Sequence, residues 1–311
     1  MKMLYANFTD SSTNYGNHII EHATQQFLEN YFKENNNKVD FEHFDSFSDS
    51  IPTDTQSDLL IPGCTMLTPG QNKALDHLDK IKGNSYCLAG SLWYPKKSKD
   101  FIVRTRIISI GKDPSPDFSI VNKLSGIIGS RDRFTFEILK KNGLNTLYTG
   151  CPTLFLDTKN VHEGDYVLFS FGRVNFHKQV YYANKIAKNH KVIGIVHEKG
   201  RKEMVKAAGW KLPIVSYNGD MELYLSYFKN AKYVVTGRLH GVLPALAYGK
   251  KSFYFGTNDT RLSILDDLGI IINTYSDIPN FEKRSQLLEN KQVLSYFKNN
   301  MTLVADSIFK K

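Results

Sequence analysis

Arg238 and His240 stand two residues apart in the stretch VVTGRLHGVLPALAYG, Val234 to Gly249. An arginine presents paired N–H donors that match a carboxylate or a phosphate, and a histidine exchanges a proton near neutral pH. Together they form an anion site beside an acid. The run AKYVV ahead of them reads as a strand, and the small-residue run behind them reads as a helix. In an open parallel sheet, ligands bind beyond the carboxyl ends of the strands, and the next helix offers free N–H groups and a positive dipole end. Gly237 and Gly241 are expected to let backbone approach a ligand closely, and Ala245, Ala247 and Gly249 to allow close packing of helix on sheet. Taken singly, His240 reads as a core histidine and Arg238 as a solvated surface residue. The pair, flanked by glycines at a strand-to-helix turn, favours a functional role.

The elements that must position this turn are short apolar runs alternating with helical patterns: MLYANF, HIIEHATQQFLENYF, DLLIPG, SYCLAG and RIISIG. The rhythm restarts at DYVLFSF and continues through HKVIGIVH, LPIVSY and AKYVVTG to KSFYFG. This is the pattern of parallel sheets covered by helices. It predicts two α/β domains, residues 1–158 and 159–285, with a cleft between them and the junction in TLFLDTKNVHEGD. In the C-terminal stretch 286–311, Leu287, Leu294, Phe297, Met301, Val304 and Ile308 recur at helical spacing. The stretch is expected to form a helix that returns to the first domain; a basic amphipathic helix resting on a membrane is the competing reading.

The chain has 40 Lys and Arg against 31 Asp and Glu, a formal charge of +9, with the basic residues scattered rather than gathered in a tail. That balance favours an anionic substrate or a membrane surface over nucleic acid. Cys64, Cys87 and Cys151 form neither a CxxC pair nor an even disulfide framework and read as buried thiols of a reducing compartment. The first residues, MKMLYANFTD, lack the apolar core of a signal peptide, so a cytoplasmic protein is expected. Neither clustered metal-ligand spacing nor a G-x-G-x-x-G fingerprint occurs, which argues against a metal site and against hydride transfer.

The segment TGRLHGVLPALAYGKKSFYF resembles the signature of the polysaccharide pyruvyl transferase family, in which an [S/T]-x-R-x-H-G turn precedes an alanine-rich helix. In that family the next strand leads to a basic residue, usually lysine, ahead of a Leu-Gly pair. Here YFGTNDTRLSILDDLGI places Arg261 there, which keeps the charge and fork but cannot donate a proton. TNYGNHIIEHA is similar to the family's N-terminal N-x-G-D turn, and the resemblance implies donor or acceptor contacts at Asn14, Gly16 and Asn17. Asn17 replaces the acid; it can cap the helix but cannot act as a carboxylate base. GSRDRFTFEILKKNGLNTLYTGCPTLFL resembles the family's arginine-bearing helix and Gly-Cys-Pro turn, which makes Arg131 a second anion ligand. Asp132 and Arg133 are expected to pair on the surface, and Cys64, in LIPGCTMLTPG, to serve packing.

The resemblance implies two Rossmann-like domains facing a cleft, as in GT-B glycosyltransferases. It further implies transfer of a pyruvyl group from phosphoenolpyruvate to a sugar of a cell-surface polysaccharide or its lipid-linked precursor. His240 would be the general acid. Arg238, Arg131 and Arg261 would hold the donor's charges, with Gly237 and Gly241 beside it. No cofactor is implied beyond phosphoenolpyruvate as co-substrate, and a lipid-linked glycan acceptor would bring the protein to the inner face of the membrane. The rival reading is a nucleotide-sugar glycosyltransferase or epimerase of similar architecture. Against it stands the lack of a recognisable ribose-binding acid, since Asp266 and Asp267 fall in a helical pattern expected to face solvent. A non-catalytic glycan-binding protein of the same fold would tolerate loss of His240.

Overall fold

The computed structural model describes residues 1–7, 12–45, 56–63, 67, 78, 80–92, 116–173, 175–256 and 259–310. The expected strand RIISIG and Cys64 lie outside these residues.

In the N-terminal half, β1 (Lys2–Asn7) leads to the long α1 (Tyr15–Asn35), then β2 (Asp40–Asp45), β3 (Asp58–Ile61) and β4 (Ser85–Cys87). The strands are parallel and lie in the order β2-β1-β3-β4. After a short α2 (Phe118–Val121), β5 (Ile128–Ser130) and β6 (Thr146–Tyr148) form a parallel pair around α3 (Arg133–Lys141). A bridge between Gly90 and Ser130 ties this pair to the segment that follows β4. The sequence reading did not anticipate β2, β5 or β6. DFEHFD has only Phe41 and Phe44 as apolar residues and is only partly buried, so it lacks the apolar run that marked its neighbours.

In the C-terminal half, β7 (Tyr166–Phe171), α4 (Phe176–Ile186), β8 (Lys191–Val196), α5 (Arg201–Ala207), β9 (Ile214–Val215), α6 (Met221–Lys229), β10 (Tyr233–Thr236), α7 (Leu239–Ala247) and β11 (Lys251–Tyr254) alternate. All strand pairs are parallel, in the order β11-β10-β7-β8-β9. This is the Rossmann order, and the chain reverses direction across the sheet between β7 and β10. Residues 156–165 carry the chain from one half to the other with neither helix nor strand.

The last elements are α8 (Ser263–Asp267), α9 (Phe281–Arg284) and α10 (Lys291–Phe309). Phe297, Met301, Val304 and Ile308 of α10 are buried. Met301, Val304 and Ile308 share an apolar cluster with Met3, Tyr5, Leu60 and Tyr86 of the N-terminal half. Leu287, expected on this face, precedes the helix and is exposed. Among the described residues, no helix is long and apolar enough to cross a membrane.

Candidate functional site

The Arg238–His240 turn sits where the strand-end rule requires. Thr236 ends β10 and Arg238 occupies the N-cap position of α7. His240 is buried, as a core histidine is, whereas the Arg238 side chain is only 11% exposed and is not the solvated surface residue of the single-residue reading. Gly241 packs α7 against the sheet: a Cβ there would lie 2.3 Å from Thr236 Oγ1 and 2.7 Å from Ser170 Oγ. A Cβ on Gly237 would lie 2.9 Å from the Phe255 ring. These glycines thus admit protein neighbours on the sides where their Cβ atoms would stand. Gly249 also departs from expectation; it ends α7 with φ +64°, a left-handed turn that glycine adopts without strain.

Arg238 is fully engaged at its fork. Nη1 donates to Glu198 Oε1 at 2.9 Å and Nη2 donates to Asn14 Oδ1 at 3.0 Å. Glu198 also accepts from Arg173 Nε through Oε1 and from Arg201 Nε through Oε2, the latter at 2.9 Å. Burial works to raise the Glu198 carboxyl, but Arg238 and Arg173 outweigh it and hold the group down at about 2. Burial, followed by the charge of Arg173, lowers Arg238 to about 10. Both charges remain formed at neutral pH.

Asn14 brings the N-terminal half into this network. It is the N-cap of α1, its side chain accepting from Gly16 N, and it bridges to Glu198 in antiparallel fashion. Tyr15 N donates to His197 O at 2.7 Å, and Lys199 N to Thr13 O at 3.0 Å. The cap is therefore Asn14 and not Asn17, which sits one turn on and bonds Asn14 and Ser12. Gly16 faces the catalytic candidate: a Cβ on it would fall 2.0 Å from His240 Nδ1.

His240 is 7% exposed, and its Nε2 is buried without a hydrogen-bond partner among the described residues. Burial holds its pKa well below 6.5, and the charges of Arg131, Arg261 and Arg238 add to the effect. The imidazole is neutral in the free protein. The charges that act on it come from different elements: Arg131 at the end of β5, Arg261 after β11 and Arg238 at the start of α7.

Arg131 is 2% exposed and donates from Nη2 to Ser91 Oγ at 3.2 Å. Its neighbour Asp132 corrects the surface reading, being 1% exposed. Asp132 Oδ1 caps α3, accepting from Thr135 N at 2.9 Å, because a helix start leaves amides that a carboxylate can satisfy. Burial pushes its carboxyl up to about 6 against the opposing pull of the Thr135 amide and Arg131. Arg133 behaves as expected, pairing at the surface with Asp266 and Asp267. Asp267 is less solvent-facing than expected, since it accepts from Tyr148 OH at 2.8 Å. Arg261 holds Asp259 with both Nε and Nη2, at 3.1 and 2.8 Å.

Sequence reasoning missed His197 and Glu198, although a signal was present: both follow directly on HKVIGIV at a strand's carboxyl end. His197 Nε2 pairs with Ser170 Oγ at 2.7 Å and Nδ1 with Tyr224 OH at 3.2 Å. Tyr224 OH donates to Val196 O and Thr236 Oγ1 donates to Ser170 Oγ, so the chain of hydroxyls places the His197 proton on Nδ1. Burial, then the charge of Arg238, lowers His197 to about 3. Among the described residues, no group of His, Cys, Asp and Glu has the spacing of a metal site. Cys87 is buried, with its thiol pushed up to about 12 by desolvation, the state of a packing residue and not a nucleophile.

The architecture is that of GT-B proteins. The UDP-GlcNAc 2-epimerase of Methanocaldococcus jannaschii, in complex with UDP-GlcNAc and UDP, is similar with a TM-score of 0.56 at 11% identity, over 98% of this chain and 99% of that one. The UDP-GlcNAc 2-epimerase of Neisseria meningitidis bound to UDP-GlcNAc is similar with a TM-score of 0.53 at 11% identity, over 100% of both chains. The wall teichoic acid polymerase TagF is similar with a TM-score of 0.50 at 10% identity, over 99% of this chain and 83% of that one. No curated protein sequence matches the chain. Residues 112–259 match the family model of the polysaccharide pyruvyl transferases. The segment contains Arg131, Glu198, Arg238 and His240; Arg261 lies just past its end, and the Asn14 turn far outside it.

Proposed function

We propose that the protein transfers a pyruvyl group from phosphoenolpyruvate to a sugar of a cell-surface polysaccharide or its lipid-linked precursor, forming a pyruvate ketal and releasing phosphate. The observation that carries the reading is the surroundings of His240: a buried imidazole with an unpartnered nitrogen, under the combined charge of Arg131, Arg261 and Arg238, inside the family segment. A small ligand bearing both a carboxylate and a phosphate would add negative charge to that of Glu198 and Asp259, which already pair with Arg238 and Arg261.

In this reading Arg131, Arg261 and Arg238 hold the donor's charges. The donor's anions bring a proton onto His240, which delivers it to the enol methylene carbon. One sugar hydroxyl then adds to the cationic carbon. The second hydroxyl attacks in turn as phosphate departs, so the ketal keeps both sugar oxygens and the phosphate keeps the enol oxygen. The C-terminal half, from about residue 159 to residue 285 in our division of the chain, carries the donor turn. The N-terminal half contributes Gly16 beside the imidazole and presents the acceptor side. No other cofactor enters the scheme.

The test is incubation with phosphoenolpyruvate and a panel of soluble and lipid-linked glycans, following phosphate release and the mass gained by the glycan. Phosphoenolpyruvate should also raise the melting temperature, because a ligand of the folded state stabilises it. Stabilisation by a uridine diphosphate sugar alone, without phosphate release from phosphoenolpyruvate, would replace this reading with a nucleotide-sugar glycosyltransferase.

A further inference from the structure

At the carboxyl edge of the C-terminal sheet, beside the crossing of β7 and β10, a sheet of this order binds anionic ligands. Here that place already holds an anion, and the chain supplies it. Glu198 Oε1 accepts from Arg238 and Arg173, and Oε2 accepts from Arg201. Three guanidiniums around two carboxylate oxygens is the coordination a bound phosphate or carboxylate would receive. Glu198 is 11% exposed at its side chain, whereas Arg201 is 30% and Arg173 59% exposed, so two of its partners face the solvent from which a ligand would come. Arg238 has one N–H of each terminal nitrogen engaged, by Glu198 and by Asn14, so a ligand that takes the Glu198 side of the guanidinium must displace that carboxylate.

We propose that Glu198 is the resident occupant of the anion position beside Arg238, and that a ligand's phosphate or carboxylate binds there by displacing it. The proposal rests on reading the Arg238 turn as a donor site. Glu198 then sets both affinity and charge selectivity: a monocarboxylate competes poorly with a carboxylate already tethered, while a dianion or trianion gains more from the excess positive charge. A fixed Glu198 that only props Arg238 in place would behave in the opposite way, since removing it would let the guanidinium wander and weaken every anion.

The experiment is calorimetric titration of inorganic phosphate, at constant ionic strength set with sodium chloride, into the wild-type protein, Glu198→Gln and Glu198→Asp. Glu198→Gln should bind phosphate at least about 10-fold more tightly than wild type. Glu198→Asp keeps the charge but withdraws the carboxylate from Arg238, so it should fall between the two. Weaker binding by Glu198→Gln would show a prop, and wild-type affinity in Glu198→Asp would show a through-space charge effect; either result overturns displacement. Should Glu198→Gln fold only poorly in chloride, phosphate in place of chloride is expected to restore its melting temperature, and failure to do so would also count against the proposal. Inorganic phosphate keeps the test separate from the donor's identity: a wild-type protein that binds phosphate by this rule but ignores phosphoenolpyruvate would overturn the donor assignment alone.

Discussion

Arg131 and Arg238 each stand just past a strand, β5 and β10, yet the fold gives them unequal surroundings. Arg238 is bonded at both terminal nitrogens, to Glu198 of its own half and to Asn14 of the other. Arg131 has an acid beside it in sequence, but Asp132 turns its Oδ1 to the α3 amides, and the guanidinium meets the Ser91 hydroxyl instead. The same pairing of types therefore yields a guanidinium tied to both halves in one case and one bonded to a neutral hydroxyl in the other. A buried guanidinium bonded to a neutral hydroxyl retains most of its donors and its charge for a ligand. Both charges act on His240, and Arg131 is the largest of the charges that depress it.

The largest effect should come from the group both arginines serve. His240→Gln is expected to lower turnover by roughly 100-fold or more while leaving donor affinity within a few-fold, the usual scale for losing a general acid. Phosphate release at saturating donor and calorimetric donor binding check it. Near-normal turnover would mean that the proton comes from elsewhere.

The next pair of variants separates the arginines. Arg131→Gln should weaken donor binding by roughly 10-fold or more with little change in melting temperature. Arg238→Gln should destabilise the fold by about 2 kcal/mol, because it strips a partner from the partly buried Glu198 and releases Asn14. Donor titrations and denaturant unfolding on both variants decide; matching profiles would erase the distinction.

Gly16→Ala bears on the contact between halves. With no room beside His240 Nδ1, the added methyl must move the imidazole. Turnover should fall by about 10-fold, with α1 intact by circular dichroism, since alanine favours helix over glycine.

A pH series tests the electrostatics on a smaller scale. His240 and His197 are held neutral in the folded state, so the unfolded chain takes up their protons first as pH falls below about 6.5. The stability these groups lend is full above that pH and is lost as pH falls through it. Asp132, raised to about 6 when folded, works against this slope by binding a proton the unfolded chain does not yet take. Replacing His240 with Gln should flatten the decline between pH 6 and 5 by at most about 1.4 kcal/mol per pH unit, read from urea midpoints. An unchanged slope would show that His240 titrates normally. The smallest effect belongs to Arg133→Ala, whose half-exposed pairs with Asp266 and Asp267 should be worth no more than about 0.5 kcal/mol by the same measurement.

Much of the site was legible because strand ends in parallel sheets are where chemistry gathers. AKYVVTG fixed the edge on which Arg238 and His240 would sit, and the same rule, applied to HKVIGIVHE, would have added His197 and Glu198. Other parts were out of reach. Asp132 reads as a polar residue among polar residues, and only the packing of α3 against Ser91, Leu92 and the turn at Ser263 buries it.

The sequence by itself determined the alternation of strands and helices, the parallel sheets, the strand-to-helix turn and the residue types of the candidate site, since these follow from periodicity and residue chemistry within short windows. Tertiary structure alone decided which acid each arginine would meet, that the α1 cap would reach Arg238 across 224 residues of chain, and that Gly16 would lie against the imidazole. Those outcomes depend on how the two halves come together, and burial then converts that placement into the charge states of His240, Glu198 and Asp132.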